Sequence, residues 1–185
     1  MVQIPIRIRP DEVNFWQPSA TPPFTTAPVG LPFLFKLKRP FNHIAGGGFF
    51  VTYSRLPLSL AWEVFGQKNG CRSLDELQKL ISPLVAGGFR DGEIGCTVLA
   101  NPFFFEESAW IKDPTGWSSN IVRGKMYDSS EDDGRKIWSG VQSCLSSQQF
   151  DLQQTGETVI AADPNEKYGS PISVRPRIGQ SSFRV

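Results

Sequence analysis

Apolar and polar positions alternate from Gly30 to Arg39, GLPFLFKLKR, with Phe33, Phe35 and Leu37 on one side and Leu34, Lys36 and Lys38 on the other. A period of two is that of a strand, whose successive side chains point to opposite faces, so this stretch predicts a strand with a wet, basic face. A turn at Pro40-Phe41-Asn42 leads into HIAGGGFFVTYS, where β-branched and aromatic residues predict a second strand. The Gly46-Gly47-Gly48 run inside it marks either a bulge or barrel corner, or a place where another backbone or a ligand comes close.

The period then changes. LPLSLAWEVFG, residues 56 to 66, predicts a helix with Leu56, Leu60 and Val64 on its apolar face and Gly66 at its C-cap. A second helix opens on the capping-box pair Ser73 and Glu76, carries Leu74, Leu77, Leu80 and Ile81 as its stripe, and ends at Pro83. EIGCTVLANPFFFEE predicts a strand that breaks at Asn101-Pro102, followed by a loop holding Trp110 and Trp117 and a strand over NIVRGKMY. DDGRKIWSGVQSCL, residues 132 to 145, predicts a helix with Ile137, Trp138, Val141 and Leu145 inward. Gln148 to Gly156 is expected to be a flexible loop, and the end, PISVRPRIGQSSFRV, strand and loop.

The 185 residues and 39% hydrophobic content suffice for one domain with one core, and 17 Gly with 15 Pro exclude an all-helical bundle. The net charge of +1 hides an asymmetry: six basic and two acidic groups in residues 1 to 62, seven and twelve in 63 to 133, six and four in 134 to 185. Cys71, Cys96 and Cys144 are odd in number and widely spaced, which fits neither a disulfide framework nor a zinc site. Without an apolar signal segment or a run of about 20 apolar residues, a soluble, cytoplasmic protein is expected, with no membrane partner.

Candidate chemistry is sparse. His43 is the single histidine, so any Ser/His/Asp or Cys/His mechanism would have to use it, and no zinc site of several histidines can form. The carboxylates Glu106, Glu107 and Asp128 to Asp133 lie in runs typical of a solvated surface, and no phosphate loop or dinucleotide fingerprint occurs. No catalytic residue, cofactor or metal is expected. Aromatic residues are abundant, with 5 Trp and 14 Phe. Trp16, Trp110 and Trp117 stand among polar residues, and aromatic side chains beside basic ones on a β scaffold suit stacking of a planar base with contacts to flanking phosphates.

VNFWQPS, PFLFKLKRPFNHIAGGGFF, LPLSLAWEVFGQKNG, ANPFFFEESAWI, NIVRGKMYD and VRPRIGQSSFRV, in that order, resemble the N-terminal module of bacterial HNH-type, modification-dependent restriction endonucleases. These enzymes join an SRA-like reader of the PUA superfamily to a nuclease. The resemblance covers most of residues 11 to 185 and implies an α+β domain: a strongly curved mixed β-sheet or open β-barrel with flanking helices. It implies double-stranded DNA carrying a modified base as partner, with 5-methyl- or 5-hydroxymethylcytosine flipped into an aromatic pocket. Asn14, Phe15, Trp16, His43, Gly46, Gly47 and Trp110 are the expected base pocket, and Lys36, Lys38, Arg39, Arg55 and Lys125 the expected contacts to the DNA backbone. An HNH nuclease domain is the expected partner module, with residues 176 to 185 as the linker to it, so that residues 1 to 185 read DNA and do not cut it. A reader of modified RNA and a reader of a sulfur-modified DNA backbone are the alternatives.

Overall fold

The computed structural model describes residues 10–19, 27–85, 92–112, 117, 124–155 and 182–185, with the side chains of the 124–155 stretch described as far as 148. Strands β1 (Glu12–Gln17), β2 (Pro32–Lys36), β3 (His43–Pro57), β4 (Glu93–Phe104), β5 (Ile111–Lys112), β6 (Met126–Asp128) and β7 (Ser182–Arg184) form one sheet. Its order is β1-β4-β3-β2-β7-β6, with β5 added to the start of β3. The pairings are antiparallel except that of β2 with β7. Helices α1 (Leu58–Phe65), α2 (Leu74–Ile81) and α3 (Asp132–Thr155) complete a mixed α+β fold around an open sheet.

All three helices pack on one face of the sheet. At one end α1 and α2 bring Leu58, Ala61, Leu77 and Ile81 against Ile94 and Cys96 of β4. At the other, Ile137 and Val141 of α3 meet Phe49, Phe103, Tyr127 and Phe183. The opposite face holds a smaller cluster of Leu31, Phe33, Phe50 and Leu99. There Phe15 of β1 stacks on Phe35 of β2 with ring centroids 5.8 Å apart, although β4 and β3 lie between them. In a flat sheet the β1 and β2 backbones would be about 14 Å apart sideways, and the two residues lie seven positions apart along β3 as well. The sheet is therefore rolled toward this face.

Glycines 46 to 48 allow the roll. Both neighbouring strands shift register here: Ala45 is the extra residue against β2, and the Asn101-Pro102 segment carries an extra residue on β4. A Cβ on Gly46 would overlap the Phe103 carbonyl, and one on Gly47 would overlap the Phe33 carbonyl and stand 2.7 Å from Cζ of Phe103. The sheet's own backbone and the Phe103 ring occupy the space these glycines leave.

Several expectations change. Strand β4 does not break at Asn101-Pro102 but continues through it as a bulge, with Asn101 at φ 47°. The strand at 30 to 39 narrows to 32–36 and has no wet basic face, since Leu34 is buried in the main core and Lys36 is half-buried. Helix α1 starts two residues later than Leu56, which belongs to β3; its buried residues are Leu58 and Ala61, while Leu60 and Val64 are exposed. Leu80 of α2 is exposed as well. Helix α3 extends to Thr155 through the stretch expected to be a loop. Of NIVRGKMY only Met126 and Tyr127 lie in a strand, and residues 120 to 123 lie outside the described residues. In the expected linker, residues 182 to 184 are β7, between β2 and β6, with Phe183 at 1% exposure in the core; 176 to 181 lie outside the described residues.

Candidate nucleic-acid interface

The β2–β3 hairpin ends in a tight tip. Leu37 N–H donates to the His43 carbonyl at 2.8 Å, and the N–H groups of Phe41 and Asn42 both reach the Lys38 carbonyl, at 3.1 and 3.4 Å. Asn42 takes a left-handed conformation with φ 49°, which asparagine tolerates because its short polar side chain bonds locally. Here its Oδ1 accepts from Lys36 Nζ at 3.1 Å. The turn presents Lys38, Arg39 and Phe41 to solvent, with Phe41 54% exposed.

Trp110 is held beside this tip. Its indole N–H donates to the Phe105 carbonyl at 3.1 Å, and it meets the Phe41 ring in a T-shaped arrangement at a centroid distance of 5.8 Å and 84° between planes. The His43 ring lies 6.3 Å from the same indole. Nδ1 of His43 bonds to the Phe41 carbonyl, which can only accept, so that nitrogen carries the proton. On the adjoining strand Lys112 pairs with His43 and is exposed. Three cations, Lys38, Arg39 and Lys112, thus surround Phe41, His43 and Trp110. The arrangement can neutralise phosphates while offering aromatic surface to a base.

The expected pocket residues do not converge. His43 and Trp110 come together at the tip. Asn14 and Trp16 point to the helix-covered face, where Asn14 Nδ2 donates to Asn69 Oδ1 at 2.9 Å and Trp16 Nε1 to the Asn69 carbonyl at 3.0 Å. Both side chains fasten β1 to the 3-10 turn at Gly66–Asn69. Phe15, between them, points to the opposite face and is 56% exposed. Gly46 and Gly47 are closed over by neighbouring strands.

The expected backbone contacts also separate. Lys38 and Arg39 belong to the tip. Lys36 Nζ lies 5.0 Å from the centroid of Trp117 and also donates to the Leu37 carbonyl at 3.3 Å, so it holds the turn from behind. Lys125 stands over the Tyr127 ring at 4.7 Å. Arg55, far along β3 from the tip, lies 3.9 Å from Glu93. Sequence reasoning missed Phe41 and Lys112 as site residues; the position of Phe41 in a Pro-Phe-Asn turn was the available signal for the first, while the second depends on strand pairing.

Burial pushes the Cys96 thiol up, opposed by a hydrogen bond with Asn14, and burial raises Cys71 and Cys144 too. Asp128 is lowered because its Oδ1 accepts from the Ser130 hydroxyl at 2.7 Å and the Ser130 N–H at 2.8 Å. Among the described residues no group of three or more His, Cys, Asp or Glu could hold a metal ion, and no helix is long and apolar enough to cross a membrane. A surface concavity of about 400 Å³ on α2, lined by Asp75, Gln78, Lys79, Ser82 and Pro83, contains none of the expected site residues. Comparison with protein-family models, with curated proteins and with solved structures found no match.

Proposed function

We propose that this chain is a DNA-binding specificity module that recognises a modified base in duplex DNA, 5-methyl- or 5-hydroxymethylcytosine, and directs an HNH nuclease to the site from the cytoplasm. The observation that carries the reading is the hairpin tip: exposed Lys38, Arg39 and Lys112 around an exposed Phe41 set against Trp110 and His43. Phosphate contacts place such a module on the duplex without sequence information, and base contacts then specify. A nucleotide turned out of the helix loses stacking worth a few kcal/mol, which an aromatic surface can return. The added methyl group contributes about 0.8 kcal/mol per buried carbon, a preference rather than absolute discrimination. The finer fold assignment, an SRA-like member of the PUA superfamily, belongs to this proposal; a rolled, open, mostly antiparallel sheet with helices on one face is compatible with it.

Fluorescence anisotropy with four labelled targets tests the proposal: unmodified duplex, duplex with modified cytosine, duplex with a sulfur-substituted phosphate, and RNA of matched sequence. The expected result is tightest binding to the duplex with modified cytosine, and loss of that preference in Phe41→Ala. Preference for RNA or for the sulfur-substituted duplex would replace base modification with one of those ligands. Failure to bind any of the four would overturn the reading.

A further inference from the structure

Three phenylalanines from three strands form a continuous stack on the face of the sheet away from the helices. Phe15 of β1 lies on Phe35 of β2 at 5.8 Å and 10° between planes, and Phe35 lies against Phe104 of β4 at 5.9 Å and 28°. The two end rings are each 56% exposed. Single exposed apolar side chains are ordinary on protein surfaces, but three stacked in line, open at both ends, are an organised surface.

The composition around the stack indicates what it takes. On one side the patch ends at the row of Gln17, Gly95 and Arg55, the row of Phe15 itself continues into Thr97 and Tyr53, and on the other side the face passes into the buried cluster of Leu99 and Phe50. Gln17 hydrogen-bonds Tyr53. A stable protein partner needs a broad apolar area, whereas a planar base needs only one ring face and polar neighbours for its edge. The charge beyond Phe35 is positive, while the exposed Glu106 and Glu107 follow Phe104. Phe35 is followed within four positions by exposed Lys38 and Arg39, and Phe104 flanks Gly46, three positions after His43. The stack therefore leads from β1 to the root of the cationic hairpin.

We propose that Phe15, Phe35 and Phe104 form a platform for the bases of unpaired nucleotides, while the hairpin tip holds the adjoining phosphates. This rests on the nucleic-acid reading above and extends it: the ligand is DNA with a locally unpaired strand, and the end rings Phe15 and Phe104 each take a base on the outer side of the stack. Aromatic stacking is indifferent to base identity, so the platform adds affinity for the unpaired state and leaves discrimination to the tip.

The test compares a fully paired, unmodified duplex with one of the same length bearing a bulge of two unpaired nucleotides, each titrated by anisotropy. The protein variants are Phe15→Leu/Phe104→Leu, which keeps apolar volume and removes the flat faces, and Phe104→Trp, which enlarges one face; thermal melting verifies that each is folded. The wild type is expected to favour the bulged duplex by roughly tenfold, the double leucine variant to bring that ratio close to one, and Phe104→Trp to keep or raise it. A wild-type ratio of one with paired duplex still bound would overturn the platform alone, as would an unchanged ratio in the double leucine variant. Concentration-dependent dimers in sedimentation, abolished by the double leucine substitution, would overturn it in favour of a second copy on this face. No binding to either duplex would fail the DNA reading and the platform together.

Discussion

Trp16 and Asn14 illustrate how a residue's role is set by its distant neighbours. Both stand in a polar stretch beside an aromatic, which in sequence suits a base pocket, yet both bond to Asn69, more than 50 positions away. Nothing local in VNFWQPS announces that partner. Trp16→Ala removes a hydrogen bond and the packing of the indole against the α1/α2 cluster, so it should lower unfolding free energy by about 3 kcal/mol, measured by urea denaturation. By contrast Phe41, legible only as part of a turn, has an exposed ring. Asp128 gives a pH-dependent signature. Its carboxyl is held below the ordinary value of 3.8 by the Ser130 hydroxyl and N–H. A carboxylate depressed in the folded state stabilises above its unfolded value, and that contribution disappears as pH falls through the folded one. Asp128→Asn should therefore melt below the wild type at pH 7, with the gap closing as the pH is taken below 3.8.

At the scale of elements, rules with a local mechanism were readable. The cap of α2 forms where its sequence predicts: Glu76 N–H donates to Ser73 Oγ at 3.2 Å, while the Glu76 carboxylate accepts from the N–H of Arg72, one residue before the cap, at 2.7 Å. The strand pair 32–36 and 43–57 and the turn between them follow from alternation and turn chemistry. What was not readable depends on register. Helix α1 has only eight residues, too few for periodicity to fix which face is inward, and the pattern includes Leu56 in it although β3 runs on to Pro57. Pro102 reads as a strand breaker, but a bulge lets proline sit where no ladder donor is required. The glycine run was ambiguous for the same reason, since only the pairing shows that neighbouring strands fill it. Gly47→Ala would force Cβ into the Phe33 carbonyl and the Phe103 ring, separating β2 and β4 from β3. A loss of about 3 kcal/mol, visible as a lower midpoint in thermal unfolding, is expected.

Across the whole molecule, a mixture of strands and helices was legible, whereas the chain's path through the sheet was not. The resemblance implies a linker over residues 176 to 185, but Ser182–Arg184 joins the sheet by parallel pairing with β2, a long-range contact without a periodic signature. Phe183 stacks between Tyr127 and Trp138 at 5.8 and 5.4 Å. Phe183→Ala should cost about 4 kcal/mol, measured by denaturant titration, and lower the α3 helical signal together with that of the sheet. The same topology sets the proposed binding surface, because pairing of β5 with the start of β3 brings Lys112 and Trp110 to the hairpin that carries Lys38, Arg39 and Phe41. The central claim is that this cationic, aromatic tip holds DNA. Its most direct test is the salt dependence of duplex affinity, measured for the wild type and for Lys38→Ala/Arg39→Ala/Lys112→Ala. Each cation on a phosphate contributes about 0.9 to the slope of log affinity against log salt. The slope is predicted to fall by roughly 0.9 per cation removed; an unchanged slope and affinity in the folded triple variant would contradict the account.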